Sequence, residues 1–454
     1  MKKHLLLLFI FLLSFNCLVA QEIDTVKAAG VIKPEEPKLV APPDGDKDIA
    51  KNDIIKTGLS FGPLPIVAYD QDRGFEYGAL LNIYNFGDGS WYPTPRSTWY
   101  FEVSAYTKGT QQYIITYDNR VLIPGVRISA AAQLVNEKAL DFYGFNGYES
   151  VYHSDYDTYY YRLKRMVPSV KLDFTGNITK HLYWKAGYHF NYFKIGDYED
   201  SDGKTPNTLF SLYKNAGIIP AGEAKGGISS ALRVGLMYDS RNFEAAPTKG
   251  IWAEAHVAFA PKFIGTSVGY TKFNITFRHY VPIYRDRLVF AFRLNYQGYI
   301  GAAPAFYILP FDTILGPGYD RDGFGGYRTV RGLMRDRVQG INTGYFNTEL
   351  RWKFVDFHVW KQNVTLALSG FFDGSRVFKG IDMESKIKLL NMGLDNFNFD
   401  YTSDKLNDRF HLAAGGGLRI IINQNFIVAV EYGKAFDKQD NAKGALYINT
   451  GYLF

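Results

Sequence analysis

The chain has 454 residues, of which 46% are hydrophobic and 17% aromatic, with 44 glycines and a formal net charge of +6. This abundance of aromatic residues and glycine is unusual for a helical or α/β enzyme and favours a β-rich protein. The positive charges are spread along the chain rather than grouped in blocks, so the charge pattern gives no indication of nucleic-acid binding.

The first twenty residues have the pattern of a secretory signal peptide. Lys2 and Lys3 form a short basic region, an apolar run follows at 5–15, and Ala20 is a small residue at the expected cleavage position. An apolar run of this length is too short to cross a bilayer as a helix. We therefore predict a signal peptide at 1–20. The only cysteine lies within it, so we expect a mature chain without disulfides.

Residues 21–56 are predicted to form a flexible periplasmic segment. They contain four prolines, six lysines and eight acidic residues, but no aromatic residue. Such a segment buries too little apolar surface to offset the entropy lost on ordering. Beyond the signal peptide no run of 18 apolar residues occurs, so the sequence excludes membrane-spanning helices but not a membrane β-barrel.

The remainder of the chain alternates apolar and polar residues with a period of two. Leu350 and Trp352 share one parity, for example, whereas Asn347, Glu349 and Arg351 share the other. This period is typical of β-strands. Long strands with one apolar and one charged face favour a barrel with lipid outside and a polar lumen.

The candidate strands number sixteen, which is even, as a single-chain bacterial barrel requires. The predicted fold class is therefore all-β, a 16-stranded antiparallel transmembrane β-barrel of the outer membrane spanning 57–454. The predicted strands are 59–69, 74–86, 96–108, 111–123, 125–137, 158–176, 181–197, 224–240, 250–264, 267–282, 286–302, 340–355, 362–376, 409–422, 425–436 and 445–454.

The connections between these strands separate by length, which predicts their side of the membrane. The long ones follow odd-numbered strands and are assigned to the cell exterior: 138–157, 198–223, 303–339 and 377–408. The short ones follow even-numbered strands and are assigned to the periplasm: 124, 177–180, 283–285 and 423–424.

Two motifs lie in connections. In the first, Asp239 and Arg241 precede Pro247 and Gly250, residues that favour a stiff turn between two long strands. The second is the glycine-rich stretch 325–333, Gly-Gly-Tyr-Arg-Thr-Val-Arg-Gly-Leu, in the longest loop. Its glycines allow the backbone to fold sharply around Arg331, and the loop is too long to be a mere connector.

Two further features lie in strands. Asp373, in the stretch Phe-Phe-Asp-Gly-Ser, has the parity of the lumen face of its strand. The last predicted strand alternates as far as Phe454, an aromatic residue at the position where the sheet must close. Together with the turn and the glycine-rich loop, these motifs are similar in order and spacing to the bacterial surface antigen family of outer-membrane assembly barrels, which includes BamA and TamA.

The resemblance implies a role for the loop at 303–339. In that family the sixth extracellular loop folds into the lumen, and its arginine contacts acidic residues on the barrel wall. Arg331, next to Gly332, would then meet Asp373 and Glu349. Leu333 departs from the aromatic residue usual in the family, and residues 21–56 are too few for a periplasmic POTRA module. The resemblance therefore implies a POTRA-less member.

The first strand contains two prolines, Pro63 and Pro65, whose missing N–H groups lie on the same side of the strand. If that side faces the sixteenth strand, the barrel closes through a seam with few hydrogen bonds, at which Phe454 would also lie. If it faces the second strand, the seam hypothesis fails.

The sequence contains no H-E-x-x-H, G-x-S-x-G or P-loop pattern, and we predict a protein that is not an enzyme and has no metal or cofactor. The resemblance implies assistance in protein insertion or translocation at the outer membrane. A non-gating scaffold subunit and a passive pore remain alternatives. The expected partners are outer-membrane lipids and other outer-membrane or periplasmic proteins that supply client capture.

Overall fold

The computed structural model describes residues 55–92, 94–244, 246–311, 323–359, 362–383, 408–422, 426–441, 443–450 and 454. The predicted signal peptide and nearly all of the predicted periplasmic segment lie outside the described residues, as do parts of the predicted loops 303–339 and 377–408.

Sixteen antiparallel strands form one closed barrel in which each strand pairs with the next and β1 pairs with β16. The predicted fold class is confirmed. The strands are β1 Leu59–Asp70, β2 Gly74–Asn85, β3 Ser97–Tyr106, β4 Thr110–Ile123, β5 Val126–Asp141, β6 Arg162–Asn177, β7 Leu182–Asp197, β8 Gly226–Asp239, β9 Gly250–Ala260, β10 Tyr270–Tyr284, β11 Leu288–Ile300, β12 Asn342–Val359, β13 Gln362–Lys379, β14 His411–Ile422, β15 Phe426–Ala435 and β16 Ala445–Thr450.

The helices of the described residues are short and lie in the connections. The α-helices among them are α1 Leu209–Asn215 and α2 Lys438–Asn441, and the 3₁₀ helices are Gly147–Glu149, Thr158–Tyr161, Lys262–Ile264 and Phe306–Ile308. Within the described part of the chain, none of the helices has the length and apolar character needed to cross a bilayer.

The two faces of the barrel differ as the alternation predicts. On β12, Leu350 and Trp352 are 44% and 50% exposed on the outer face, whereas Glu349 and Arg351 are 1% and 3% exposed on the inner face. The outside of the barrel is therefore apolar and its lumen charged, an arrangement that suits a wall between lipid and a polar interior.

The long connections pack together at one end of the barrel. Phe142 from the β5–β6 loop contacts Phe210 and Tyr213 of α1 with ring centroids 6.2 and 5.7 Å apart, and Phe306 from the β11–β12 loop at 6.4 Å. These residues belong to one buried apolar cluster. Three loops thus form an apolar cap over the end that the sequence assigns to the cell exterior.

Candidate functional site

The loop between β11 and β12 folds into the lumen, where a glycine permits its closest approach to the wall. Gly332 has a φ of +94°, and a Cβ added there would lie 2.7 Å from the backbone nitrogen of Lys434 on β15. Its own N–H donates to the hydroxyl of Tyr447 on β16 at 3.1 Å. A larger residue at 332 would strain the backbone and push the loop off the wall.

Arg331, beside this glycine, is fully buried and contacts three strands. Its Nε and Nη2 donate to the two carboxylate oxygens of Asp373 on β13 at 2.9 and 3.1 Å. Its Nη1 donates to Glu349 on β12 at 3.1 Å and to Glu431 on β15 at 2.8 Å. The guanidinium also lies over the ring of Phe371, with Cζ 3.6 Å from the centroid.

Two further arginines balance the charge of these carboxylates. Arg419 on β14 lies 2.7 Å from both Glu349 and Glu431, and Arg351 lies 3.3 Å from Glu349. With Arg331 this makes three guanidiniums and three carboxylates, all buried. Because unpaired buried charges are very costly, the pairing of Arg331 with these carboxylates stabilises the loop against the wall.

The structure brings together the four residues that the sequence placed at this anchor, namely Arg331, Gly332, Glu349 and Asp373. Sequence reasoning missed Glu431, Arg419 and Tyr447. The period-two pattern of their strands does assign Arg419 and Glu431 to the lumen face. It does not indicate that these strands lie near the loop.

The same loop is also fixed on the opposite side of the barrel, at β5 and at the β5–β6 connection. Arg335 donates to Glu137 on β5 at 2.6 Å, and Arg337 donates to the backbone oxygens of Gly147 and Ser150 at 2.9 and 3.0 Å. Because Arg331 contacts β12, β13 and β15, the loop spans the lumen from wall to wall.

The β8–β9 turn contains the motif residues Asp239, Arg241, Pro247 and Gly250. Arg241 forms a two-bond contact with Asp239, with Nε–Oδ1 and Nη2–Oδ2 distances of 2.9 and 2.8 Å, and Pro247 is buried. Gly250 has a φ of +105°, and a Cβ there would lie 2.3 Å from the carbonyl oxygen of Ser240. These contacts make the turn rigid, as its proline and glycine predict.

The tip of this turn crosses the lumen at the end opposite the apolar cap. Glu244 lies 3.1 Å from Arg120 on β4 and 3.3 Å from Arg127 on β5. Ala246, two residues later, packs against the buried cluster of Ala367, Ile421 and Ile427 on β13, β14 and β15. These two sets of strands lie far apart around the barrel, so the turn bridges its mouth.

The Glu244 carboxyl stays charged in this bridge. Partial desolvation of this side chain, which is 42% exposed, raises its pKa, but the guanidiniums of Arg120 and Arg127 outweigh that effect and hold the pKa well below its ordinary range. The sequence predicted a turn here but gave no indication that it would bridge the mouth.

The pairing of β1 is unequal on its two edges. All twelve residues of β1 pair with β2, but among the described residues only Tyr69 and Asp70 pair with β16, opposite Ile448 and Tyr447. The described part of the closing seam, which excludes 451–453, therefore has two residue pairs.

The two prolines of β1 direct their backbone nitrogens away from β2. Gly58 N donates to Gly87 O at 2.7 Å, and Gly58 O accepts from Phe86 N at 2.8 Å. Backbone groups point to alternate sides along an antiparallel strand, and the register continues from Gly58 without a shift. Even-numbered residues therefore bond β2, whereas Pro63 and Pro65 face the β16 side. This is the orientation that the seam hypothesis requires.

Phe454 lies elsewhere than predicted. The expected strand 445–454 would place it at the seam; β16 is described as far as Thr450, and 451–453 lie outside the described residues. Phe454 is buried in the lumen beside Tyr280 on β10 and Val289 and Ala291 on β11. The contacts that explain this position are with Arg351, whose Nη2 donates to the Phe454 carbonyl at 2.8 Å, and with the ring of Tyr280.

Within the described ranges, no group of three His, Cys, Asp or Glu side chains is arranged to hold a metal ion. The described contacts of the loop are ion pairs and hydrogen bonds, which fix it across the lumen.

Comparison with known proteins agrees with the barrel fold. A model of the Omp85 superfamily domain matches residues 101–454. The fold is similar to that of BamA from Haemophilus ducreyi lacking POTRA domains 1–3, with a TM-score of 0.55 and 16% identity over 87% of this chain and 70% of that chain. It is also similar to CdiB from Escherichia coli, with a TM-score of 0.51 and 11% identity over 92% of this chain and 67% of that chain. No curated protein matches the chain.

Proposed function

The chain belongs to the Omp85 superfamily, and from this premise we propose that it assists the insertion of proteins into the bacterial outer membrane or their translocation across it. It is a barrel related in fold to BamA and CdiB. We propose that it resides in the outer membrane, with residues 1–20 as signal peptide, 21–56 as periplasmic segment and 57–454 as barrel.

The observation that carries this proposal is the β16-facing edge of β1, where Pro63 and Pro65 have no N–H to donate. Among the described residues, which include β16 only as far as Thr450, two residue pairs join it to β1. Pro63 and Pro65 remove two donors from the same edge. In hydrocarbon no water replaces a missing partner, so this seam is the part of the wall that opens at the lowest cost. A client strand would enter the membrane there.

The Arg331 network has a supporting role in this mechanism. Gly332 donates to Tyr447 on β16, so the loop contacts the last strand directly. Arg331 fixes that loop to β12, β13 and β15. We infer that the anchored loop holds the wall beside the seam in place while β1 separates from β16.

Of the two alternative functions, the passive pore has the weaker support. The β11–β12 loop spans the lumen through Arg331 and Arg335, and the β8–β9 turn bridges the other mouth through Glu244. Two crossing segments leave a poor route for solutes. A scaffold subunit would have the same barrel with a seam that never opens.

We propose further that the protein is not an enzyme and acts with partners. Its outer face, with residues such as Leu350 and Trp352, suits outer-membrane lipids. Other outer-membrane or periplasmic proteins would deliver clients to it.

Reconstitution tests this function. Liposomes containing the purified full chain are mixed with a urea-unfolded outer-membrane barrel, and folded client is quantified by its shifted migration in unheated gels. Faster client folding than in empty liposomes supports the proposal. A rate equal to that with a porin of similar size would contradict insertase activity and favour the scaffold.

A further inference from the structure

The outer face of the barrel carries an apolar groove that crosses β3 to β7. Its volume is about 530 Å³, within the range of about 300–1,000 Å³ that is typical of ligand sites. Tyr113, Ile115 and Val170 in its walls are 44%, 45% and 51% exposed, so they point away from the lumen. The outward-facing residues that line the groove include Tyr113, Ile115, Ala132, Pro168, Val170 and Phe190.

A small residue and a proline shape the groove. Ala132 on β5 is the registered partner of Ile115 on β4 and of Val170 on β6, so a methyl group lies between two larger side chains. Pro168 on β6 has no N–H to donate, and the pairing between β6 and β7 is interrupted at this residue. The wall is therefore indented on its outer side, where an acyl chain has room to lie.

Three lysines lie beyond the groove, towards the end of the barrel that is assigned to the cell exterior. Lys138, Lys164 and Lys194 belong to β5, β6 and β7, and each is within three residues of the strand end that enters a long connection. Lys164 has the parity of Pro168, Lys194 has the parity of Phe190, and Lys138 is exposed. These lysines, the lysine cluster, therefore share the outer face with the groove.

The strand register brings the lysine cluster together. Lys138 and Lys164 each lie one position to the exterior of a registered β5–β6 pair, and Lys194 is registered with the residue two positions from Lys164. Long side chains at such neighbouring positions are within reach of one another. Of the ion pairs in the described part of the chain, one involves this cluster, between Lys164 and Glu199 at 2.6 Å. The cluster therefore keeps a surplus of positive charge.

We propose that the groove and the lysine cluster form a binding site for a phosphorylated glycolipid of the outer leaflet, with an acyl chain in the groove and phosphate between Lys138, Lys164 and Lys194. The position of the lysines at the exterior end selects the outer leaflet. Three ammonium groups in one cluster favour a lipid with more than one phosphate over a phospholipid, which has a single one. The inference goes beyond the proposed function, because it uses residence in the outer membrane but no step of client insertion.

The spacing between the groove and the lysine cluster suits such a lipid. Four residues separate Pro168 from Lys164 on β6 and Phe190 from Lys194 on β7, which is about 13 Å along each strand. Between them on β7 lies Tyr192, which is 40% exposed on the outer face, and tyrosine is enriched at the boundary between hydrocarbon and headgroups. The outer face thus passes from apolar groove to interfacial tyrosine to cations, the order in which a lipid presents its acyl chain, its polar boundary and its phosphate.

Native mass spectrometry of the full chain in detergent tests the site, with diphosphoryl lipid A as the probe. We expect one lipid A to stay bound to each barrel and phosphatidylglycerol to be retained several-fold less. Lys164→Gln and Lys194→Gln should each lower lipid A retention several-fold, and so should Ala132→Leu, which fills the groove. The matched controls are Lys379→Gln and Ala255→Leu, because these residues are exposed on β13 and β9, away from the groove. Both controls should leave retention unchanged.

Three results would overturn the proposal. Equal retention of phosphatidylglycerol and lipid A would show that the site does not select a glycolipid. Equal losses in the test and control variants, or no loss in any of them, would show that the lipid binds elsewhere on the barrel. Each variant is first checked for a folded barrel by its heat-dependent gel migration, and lipid retention is read without any client. A chain that retains lipid A but fails to insert clients would keep this site and lose the proposed function.

Discussion

Arg331 and Asp373 are 42 residues apart in sequence and form a bidentate pair inside the barrel, with Nε–Oδ2 and Nη2–Oδ1 distances of 2.9 and 3.1 Å. The backbone N–H of Arg331 donates to the same carboxylate at 3.1 Å. One carboxylate therefore holds both the side chain and the backbone of the loop.

Removing the guanidinium should release this loop. Arg331→Ala leaves Asp373, Glu349 and Glu431 facing two arginines, and breaking such a buried set costs about 3–5 kcal/mol. We expect the β11–β12 loop to become sensitive to protease in the folded barrel. The control is Arg287→Ala, because Arg287 forms an exposed pair with Asp356. Equal protease resistance in both variants would contradict the anchor.

Glu431 should contribute as much to the stability of the folded barrel as Asp373 and Glu349, the carboxylates that the sequence identified. Its Oε1 accepts from both Arg331 and Arg419, so Glu431→Gln leaves two buried guanidiniums short of one negative charge. We expect a loss of about 3–5 kcal/mol in unfolding free energy, and a double variant with Arg331→Met that loses clearly less than the sum. Additive losses in urea unfolding would show that the two residues are not coupled.

The β8–β9 turn should control conductance. Glu244→Gln removes the charge that pairs with Arg120 and Arg127, so the bridge across the mouth is weakened and single-channel conductance in planar bilayers should rise. Arg287→Gln is the control, because Arg287 lies at the same end of the barrel in an exposed pair with Asp356. Conductance of the Glu244 variant at the level of the parent would refute the bridge.

The pH dependence of that conductance has a definite sign. The pKa of Glu244 is held low in the folded barrel by the two guanidiniums, so the contact is present above the ordinary carboxyl pKa and is lost only as pH falls through the lowered value. The parent should therefore remain poorly conducting from about pH 7 to about pH 5. A rise in conductance within that range would contradict the assigned pairing.

The strands and their faces could be predicted because side-chain alternation is a local property. Asn347, Glu349 and Arg351 alternate with apolar residues, and that alone assigns their strand and their side of the wall. The contacts of Arg331 are not local. Asp373 and Glu349 came from a family resemblance, and Glu431 was missed because its distance from Arg331 depends on how strands are staggered and how the loop runs.

The contacts of Phe454 and Glu244 likewise could not be predicted from side-chain alternation. Alternation along the last strand predicts Phe454 at the closing seam, whereas the residue lies in the lumen beside Arg293 and Arg351 on distant strands. A turn around Glu244 follows from Pro247 and Gly250, whereas its bridge to Arg120 depends on the width of the closed barrel. Interactions across a lumen arise only after the sheet closes.

The measurement that tests the proposed function most directly is a covalent lock across the seam. Tyr69 and Ile448 are registered partners on β1 and β16, and cysteines at both positions, in a background with Cys17→Ser, would join the two strands. The matched control joins the other edge of the same strand, because Tyr69 is also the registered partner of Phe75 on β2. Client insertion by the reconstituted protein is then measured before and after reduction. The account predicts that the 69–448 disulfide abolishes insertion, that reduction restores it, and that the 69–75 disulfide leaves it unchanged. Normal insertion by the 69–448 disulfide form would contradict lateral opening and favour the scaffold function.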